Sequence, residues 1–288
     1  MGRRLFVWLQ YLLPQHLLTA LVHRVTRSER PAVRRALVRG FRRLYAVDLD
    51  EAAEPDAERY ASFNEFFTRA LKPGARPIAP GPLTLASPCD GTVSERGAIE
   101  GERLLQARLA AKSRWYTLSE LLGDPARAAP FAGGEFATIY LAPHNYHRVH
   151  MPLAGTLTSV HYVPGALFSV NGATAATVPR LFARNERVAC LFDTAAGPLA
   201  VVFVGALNVG SIGLVGYGDL TPRRPREALS LPPPPSLPGF LKGAELGRFN
   251  MGSTIILLLA RGAVAWLPRC VAGGTVRMGE ALGECRGK

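Results

Sequence analysis

The chain has 288 residues, 48% hydrophobic and 19% charged, with a formal net charge of +12. That length allows a sizeable buried core, and the composition excludes a disordered or low-complexity chain. Four scattered cysteines (Cys89, Cys190, Cys270, Cys285) form no C-x-x-C pair, which argues against a disulfide framework or a cysteine zinc site and for a reducing compartment.

The cations are nearly all arginine, and lysine occurs only at 72, 112, 242 and 288. Residues 1–50 hold ten arginines against Glu29, Asp48 and Asp50, which is +7 of the +12. A basic end beside apolar sequence suits an anionic membrane surface or a nucleic acid. With no aromatic–basic interleaving and no nucleic-acid motif, the membrane is favoured and nucleic acid is not expected as a partner. No apolar run is long enough for a spanning helix. Leu5 to Leu13 follows Arg3-Arg4 in the manner of a signal peptide, but Pro14-Gln15-His16 ends it and no small-residue cleavage site follows.

Residues 1–45 read as helical. Leu17, Leu18, Leu21, Val22 and Val25 share one helix face. A second, basic helix is expected from Pro31 to Tyr45, with Val33, Leu37 and Phe41 inward. This region is either a cap on the core or an in-plane membrane anchor with Trp8 and Tyr11 near the headgroups. Asp48 to Arg59 is a polar connector. Ser62 is a helix N-cap with Glu65 three residues on, and Lys72 to Pro77 ends that short helix.

From about Leu83 the pattern changes to short strands and turns, with a helical turn at Thr117 to Leu122. Strands are expected at Thr92-Val93, Phe136–Leu141, Thr156–Val160, Val188–Phe192, Leu199–Val204 and Val209–Val215. Strands and helices do not alternate regularly, so a doubly wound sheet is not expected. The fold class is α+β: a mostly antiparallel β core, sandwich- or barrel-like, with an N-terminal helical, membrane-facing layer. The expected division is a helical region over 1–60 and a β-rich domain over 61–288. Thr221 to Gly239 carries seven prolines and reads as an exposed loop or polyproline spacer. Val264–Leu267 and Thr275–Met278 read as a closing strand pair.

The chemistry-bearing candidates are few. Phe249-Asn250-Met251-Gly252-Ser253-Thr254 leads into the apolar run Ile255 to Ala260. Gly252 has no side chain to block its carbonyl, so the Ser253 hydroxyl could attack the peptide bond before it; the plain alternative is a tight turn into a core strand. His144, His147 and His150 cluster between Pro143 and Pro152. Spacings of three scatter their rings over both faces of a strand and no carboxylate lies in the segment, so no metal is expected there. Acid–base or structural roles remain. Asp90 in Pro88-Cys89-Asp90-Gly91 is a turn by itself. Gly210-Ser211-Ile212-Gly213 lacks nucleophile-elbow spacing, and Gly216-Tyr217-Gly218 lacks a third glycine for a dinucleotide fingerprint.

Taken together, the segments resemble one family. They are Phe63 to Arg69 with Leu71 to Ile78, Ser87 to Gly91, Tyr146 to Pro152, Val163 to Asn171, Leu181 to Arg187, Val204 to Ile212, and Lys242 to Phe249 running into Gly252-Ser253-Thr254. In this order, over roughly Ser62 to Leu282, they resemble the pyruvoyl-dependent bacterial phosphatidylserine decarboxylases. Three departures stand out: Met251 where the family usually has leucine, a longer segment over 107–112, and the long proline-rich loop.

The resemblance implies a self-processing carboxy-lyase of phospholipid biosynthesis. It converts phosphatidylserine to phosphatidylethanolamine and carbon dioxide. Ser253 attacks the Gly252 carbonyl, the chain is cut at 252/253, and Ser253 becomes a covalent pyruvoyl cofactor that forms a Schiff base with the substrate amine. His147 acts as the base, oriented by Asp90, and His144 donates the proton to Cα. Chains 1–252 and 253–288 stay together after the cut. The expected location is the cytoplasmic side of the cell membrane, peripherally, on anionic lipid containing phosphatidylserine. A homo-oligomer is left open.

Overall fold

The computed structural model describes residues 2–108, 113–207, 211–220, 227–237, 239–252 and 254–288, with side chains from Val7 onward. Three helices begin the chain: α1 (Gly2–Leu12), α2 (Gln15–Thr26) and α3 (Pro31–Leu44). Pro14, without an N–H to donate, separates α1 from α2, and Pro31 occupies the first turn of α3, where a missing N–H costs nothing.

The apolar stripe of α2 is turned away from the core. Leu17 is 70% exposed and Leu12, at the end of α1, is 83% exposed. Leu21, Trp8 and Leu44 are exposed as well. By contrast, α3 turns Val38 inward, with Leu37 and Phe41 packed beside it. These side chains meet α4 (Phe63–Phe67), and Val38, Tyr60, Phe63, Phe66 and Phe67 share a small core that bridges the helical layer and the region beyond residue 60. The start of α4 is fixed as the sequence suggests. Ser62 Oγ accepts from the Glu65 N–H at 3.1 Å, and the Glu65 carboxylate accepts from the Ala61 N–H at 2.5 Å.

An eight-stranded antiparallel sheet carries the main core. Its strands, numbered along the chain, are β1 (Gly91–Ala98), β2 (Glu135–Tyr140), β3 (Gly155–Val163), β4 (Arg187–Thr194), β5 (Gly197–Val204), β6 (Leu229–Leu231), β7 (Thr254–Leu259) and β8 (Thr275–Val276). Their spatial order is β6-β3-β4-β5-β7-β2-β1-β8. The run Thr254 to Leu259 is buried at every position because β7 is paired on both sides, with β2 and with β5, and covered on both faces.

The α+β class and the antiparallel core match the sequence reading, but the barrel-like alternative does not hold. The long sheet has edges at β6 and β8, and no sheet among the described residues closes on itself. The proline-rich segment differs from its reading as loop throughout. Leu229–Leu231, a proline-free triplet, forms the edge strand β6 against β3, and an edge is where a strand flanked by proline can sit. Residues 221–226 and 238 of that segment lie outside the described residues, as do 109–112 and 208–210. Nor do the last strands pair with each other. Thr275–Val276 joins β1, whereas Val264–Trp266 pairs with Ala281–Cys285, a strand whose Gly283 and Glu284 obscure its apolar alternation.

A four-stranded sheet places the histidine segment. Its order is Gly218–Leu220, Ile212–Leu214, Glu245–Phe249, Arg148–His150. The strand that follows His147 thus lies beside the strand that leads to Gly252. Because Leu257 is fully buried at the centre of β7, Leu257→Ala should lower stability by about 2–5 kcal/mol, read as an earlier denaturant midpoint.

Candidate active site

The antiparallel pairing of Glu245–Phe249 with Arg148–His150 is extended by one bond, in which the Phe249 N–H donates to the His147 carbonyl at 3.0 Å. Three residues further on, Gly252 lies against the His147 ring. A Cβ placed on Gly252 would stand 2.6 Å from His147 Nε2 and 3.3 Å from the Leu141 carbonyl oxygen, so only glycine allows this approach.

His147 is 0% exposed, with the Phe67 ring 4.0 Å away between centroids. Its Nδ1 lies 2.8 Å from the Asn145 carbonyl oxygen. A carbonyl can only accept, so Nδ1 carries the proton and Nε2 presents a lone pair. Nε2 has no hydrogen-bond partner among the described residues. Burial, and then the positive charge of Arg69, pushes the imidazole pKa down to about 3. The structure therefore holds a neutral imidazole, in one tautomer, with its basic nitrogen against a glycine of the main chain. Ser253, the expected nucleophile, lies outside the described residues.

Among the described residues, the bonds of Asp90 go to groups other than His147. Its carboxylate accepts from Arg76 Nε at 3.0 Å and Nη2 at 2.7 Å, and from the Met278 N–H at 2.8 Å. A buried carboxylate held by a two-pronged guanidinium and a backbone donor has its strongest acceptor positions filled, and the group that His147 Nδ1 meets is the Asn145 carbonyl. Arg76 also pairs with Glu51 at 2.8 Å, and Arg277 pairs with Glu51 at 3.0 Å.

The other two histidines differ in kind. His150 Nδ1 donates to the Gly243 carbonyl at 2.8 Å and Nε2 accepts from Tyr146 OH at 3.0 Å, a satisfied structural histidine. His144 is exposed, and its carbonyl accepts from Arg69 Nη2 at 3.2 Å.

Two cavities share the loop 140–145 as a wall. One, of about 390 Å³, is lined by Gly252, Met251, Tyr140, Leu141 and Pro143, by Phe41 and Tyr45 at the end of α3, by Phe67, and by the segments 169–171 and 206–207. The other, of about 420 Å³, is polar, and Arg69, Arg76, Asp90, His144 and Asn145 are among its lining residues. The structure thus brings His147 to Gly252, and places Asp90 and His144 together in the neighbouring polar cavity. Sequence reasoning missed Arg69, Arg76 and the Asn145 carbonyl. The two arginines were in view inside the segments Phe63–Arg69 and Leu71–Ile78, but nothing in a one-dimensional pattern shows which acceptor each reaches.

The site is thus a buried base turned toward a backbone glycine, beside a cavity that the glycine itself lines. Residues 63–284 match the family profile described as phosphatidylserine decarboxylase, and residues 5–46 match a second described as PSD. The chain is 51% identical over 283 residues to the phosphatidylserine decarboxylase proenzyme of Marinobacter nauticus, covering 98% of each protein. It is 50% identical to that of Methylococcus capsulatus, covering 98% of this chain and 97% of the relative, and 52% identical to that of Pseudomonas putida, covering 99% of each. The chain belongs to the phosphatidylserine decarboxylase family.

The folded-state pKa of about 3 against an ordinary 6.5 means that His147 stays neutral as pH falls, while the unfolded chain takes up the proton that the fold refuses. The His147 ring resonances in an NMR titration should therefore stay flat from about pH 8 to 5, and this residue should subtract stability as pH drops below its unfolded value. Arg69→Met removes the second cause and should move the titration upward.

Proposed function

We propose that this chain is a self-processing phosphatidylserine decarboxylase, a carboxy-lyase that converts phosphatidylserine to phosphatidylethanolamine and carbon dioxide. Its cofactor is a pyruvoyl group made from Ser253 by a cut at 252/253. The observation that carries the proposal is the Nε2 of a buried neutral His147, without a partner among the described residues, against a Cβ-free Gly252. The relatives are named proenzymes of this activity.

The chemistry follows from what the chain provides. His147 Nε2 takes the proton of the Ser253 hydroxyl. The freed oxygen bonds to the Gly252 carbonyl carbon, His147 returns the proton to the Ser253 nitrogen as the C–N bond of that peptide breaks, and an ester with a free amine replaces the amide. Loss of the Ser253 Hα and of the ester oxygen from Cβ then opens the chain, leaving a carboxylate on Gly252 and a dehydroalanine at 253, which water converts to the pyruvoyl with release of ammonia. His147 is suited to the first step because it is neutral, so its lone pair needs no prior deprotonation. Asp90 contributes at a distance, by fixing Arg76 and the Met278 turn around the polar cavity.

The residues around Gly252 fit this group, since the cavity there is of headgroup size and is walled partly by Phe41, Tyr45, Phe67 and Leu141. Once formed, the pyruvoyl supplies the carbonyl electron sink for loss of carbon dioxide. Apolar walls favour loss of a charged carboxylate as a neutral gas. We assign the proton return to His144, which reaches solvent from the same loop.

The lipid substrate calls for a surface to lie on. Exposed Trp8, Leu12, Leu17, Leu21 and Leu44 with the arginine-rich first fifty residues support peripheral binding to an anionic bilayer. No helix among the described residues is long and apolar enough to cross a membrane.

Intact mass spectrometry tests the reading directly. Active protein should contain two chains and no 31.0 kDa species. Ser253→Ala should remain whole and inactive, and His144→Ala should be cut but turn over slowly. An uncut, fully active protein overturns the assignment.

A further inference from the structure

Asn250, two residues before the proposed cut, is an amide buried to 1% exposure, and its side chain is held from both sides. Its Nδ2 donates to Ser211 Oγ at 2.5 Å, its Oδ1 accepts from Asn64 Nδ2 of α4 at 3.2 Å, and its backbone N–H donates to the Ser211 carbonyl at 3.2 Å. Ser211 is itself buried, and its hydroxyl also accepts from Arg27 Nη2 at 3.1 Å and points at Asp219 Oδ2 at 3.4 Å. Arg27, at the end of α2, pairs with Asp219 at 2.7 Å. A polar chain therefore runs from the helical layer through Ser211 to the main chain beside Gly252.

We propose that Asn250 and Ser211 are positioning residues for the cut at 252/253, and that Arg27 sets the clamp from α2, so that docking of the helical layer adjusts the geometry of self-processing. The inference rests on the proposed cut.

Buried amides and hydroxyls cost stability unless every bond is made, and an apolar residue of similar volume would fill the same space without that demand. What the polar set adds is direction. Gly252 is the most freely rotating residue type and carries no side chain to hold it, so its carbonyl must be aimed by what precedes it. Phe249 is tied to the His147 carbonyl and Asn250 to Ser211 and Asn64, leaving Met251 as the single intervening residue. Misplacing a reacting group by about 1 Å costs about 100-fold in rate, a scale that one lost restraint here can reach.

The test follows cleavage of freshly refolded full-length chain by intact mass over time. Asn250→Ala and Ser211→Ala should each slow conversion about 100-fold while circular dichroism stays native, and the double variant should be little slower than either single one. Arg27→Gln, a partly exposed change that leaves the core intact, should slow it less, and Arg27→Lys should recover part of the loss. Hydroxylamine cuts an ester at 252/253 but not an amide, so it should not rescue Asn250→Ala, whose block precedes the ester. Wild-type rates in these variants, additive losses, or full rescue by hydroxylamine overturn the positioning role while leaving the cut itself in place. A wild-type chain that never cuts at 252/253 overturns the reading beneath it as well.

Discussion

The structure turns on one buried imidazole. His147 is buried, packed at a tilt against the Phe67 ring, and held by a bond from Nδ1 to the Asn145 carbonyl that leaves Nε2 without a partner among the described residues. Burying a neutral ring costs far less than burying its cation, so the site selects the basic form by excluding solvent. Arg69 reinforces that choice through repulsion, its guanidinium bonded to the His144 carbonyl. A carboxylate partner on Nδ1 would instead have raised the pKa and favoured the imidazolium. Pairing Asp90 with Arg76, away from the ring, is therefore consistent with a base that must begin unprotonated.

Much of the fold was legible because it rests on local rules. Ser62 and Glu65 announce the start of α4, Pro31 the start of α3, and the unbroken apolar run after Thr254 a strand covered on both faces. Less legible were features that depend on partners far away in sequence. The short strands Leu229–Leu231 and Ala281–Cys285 form only because β3 and Thr84–Ala86 offer edges to pair with, and their own composition is ambiguous. The periodicity of α2 was read correctly, but periodicity does not say which medium the apolar face meets, and Leu17 and Leu21 turn outward.

The site divides the same way. Glycine at 252 and histidine at 147 could be singled out by type, and the structure brings them together through strand pairing separated by about a hundred residues of chain. The partner of Asp90 was not legible, because an Asp in a turn gives no sign of its acceptor geometry, and Arg76 reaches it with a two-pronged fork. Asn250 and Ser211 gave no sign either, since a buried amide and a buried hydroxyl look in sequence like ordinary turn residues.

The position of β7 bears on a difficulty that the proposed cut would raise. After a break at 252/253 the 253–288 piece would no longer be tethered, and its retention would depend on contacts alone. β7 lies between β2 and β5 with its whole apolar run buried, and Ile255 to Leu259 contribute about 8–15 kcal/mol of gross burial at about 1.5–3 kcal/mol per side chain. Both ladders of backbone bonds add to this, as do the pairings of Thr275–Val276 with β1 and of Ala281–Cys285 with Thr84–Ala86. An edge strand would lose half of those ladder bonds and expose its groups to water at the moment of the cut. In the proposed self-processing, a second chain starting just before this central strand would be kept in place by it, next to the Gly252 that lies against His147 and lines the cavity.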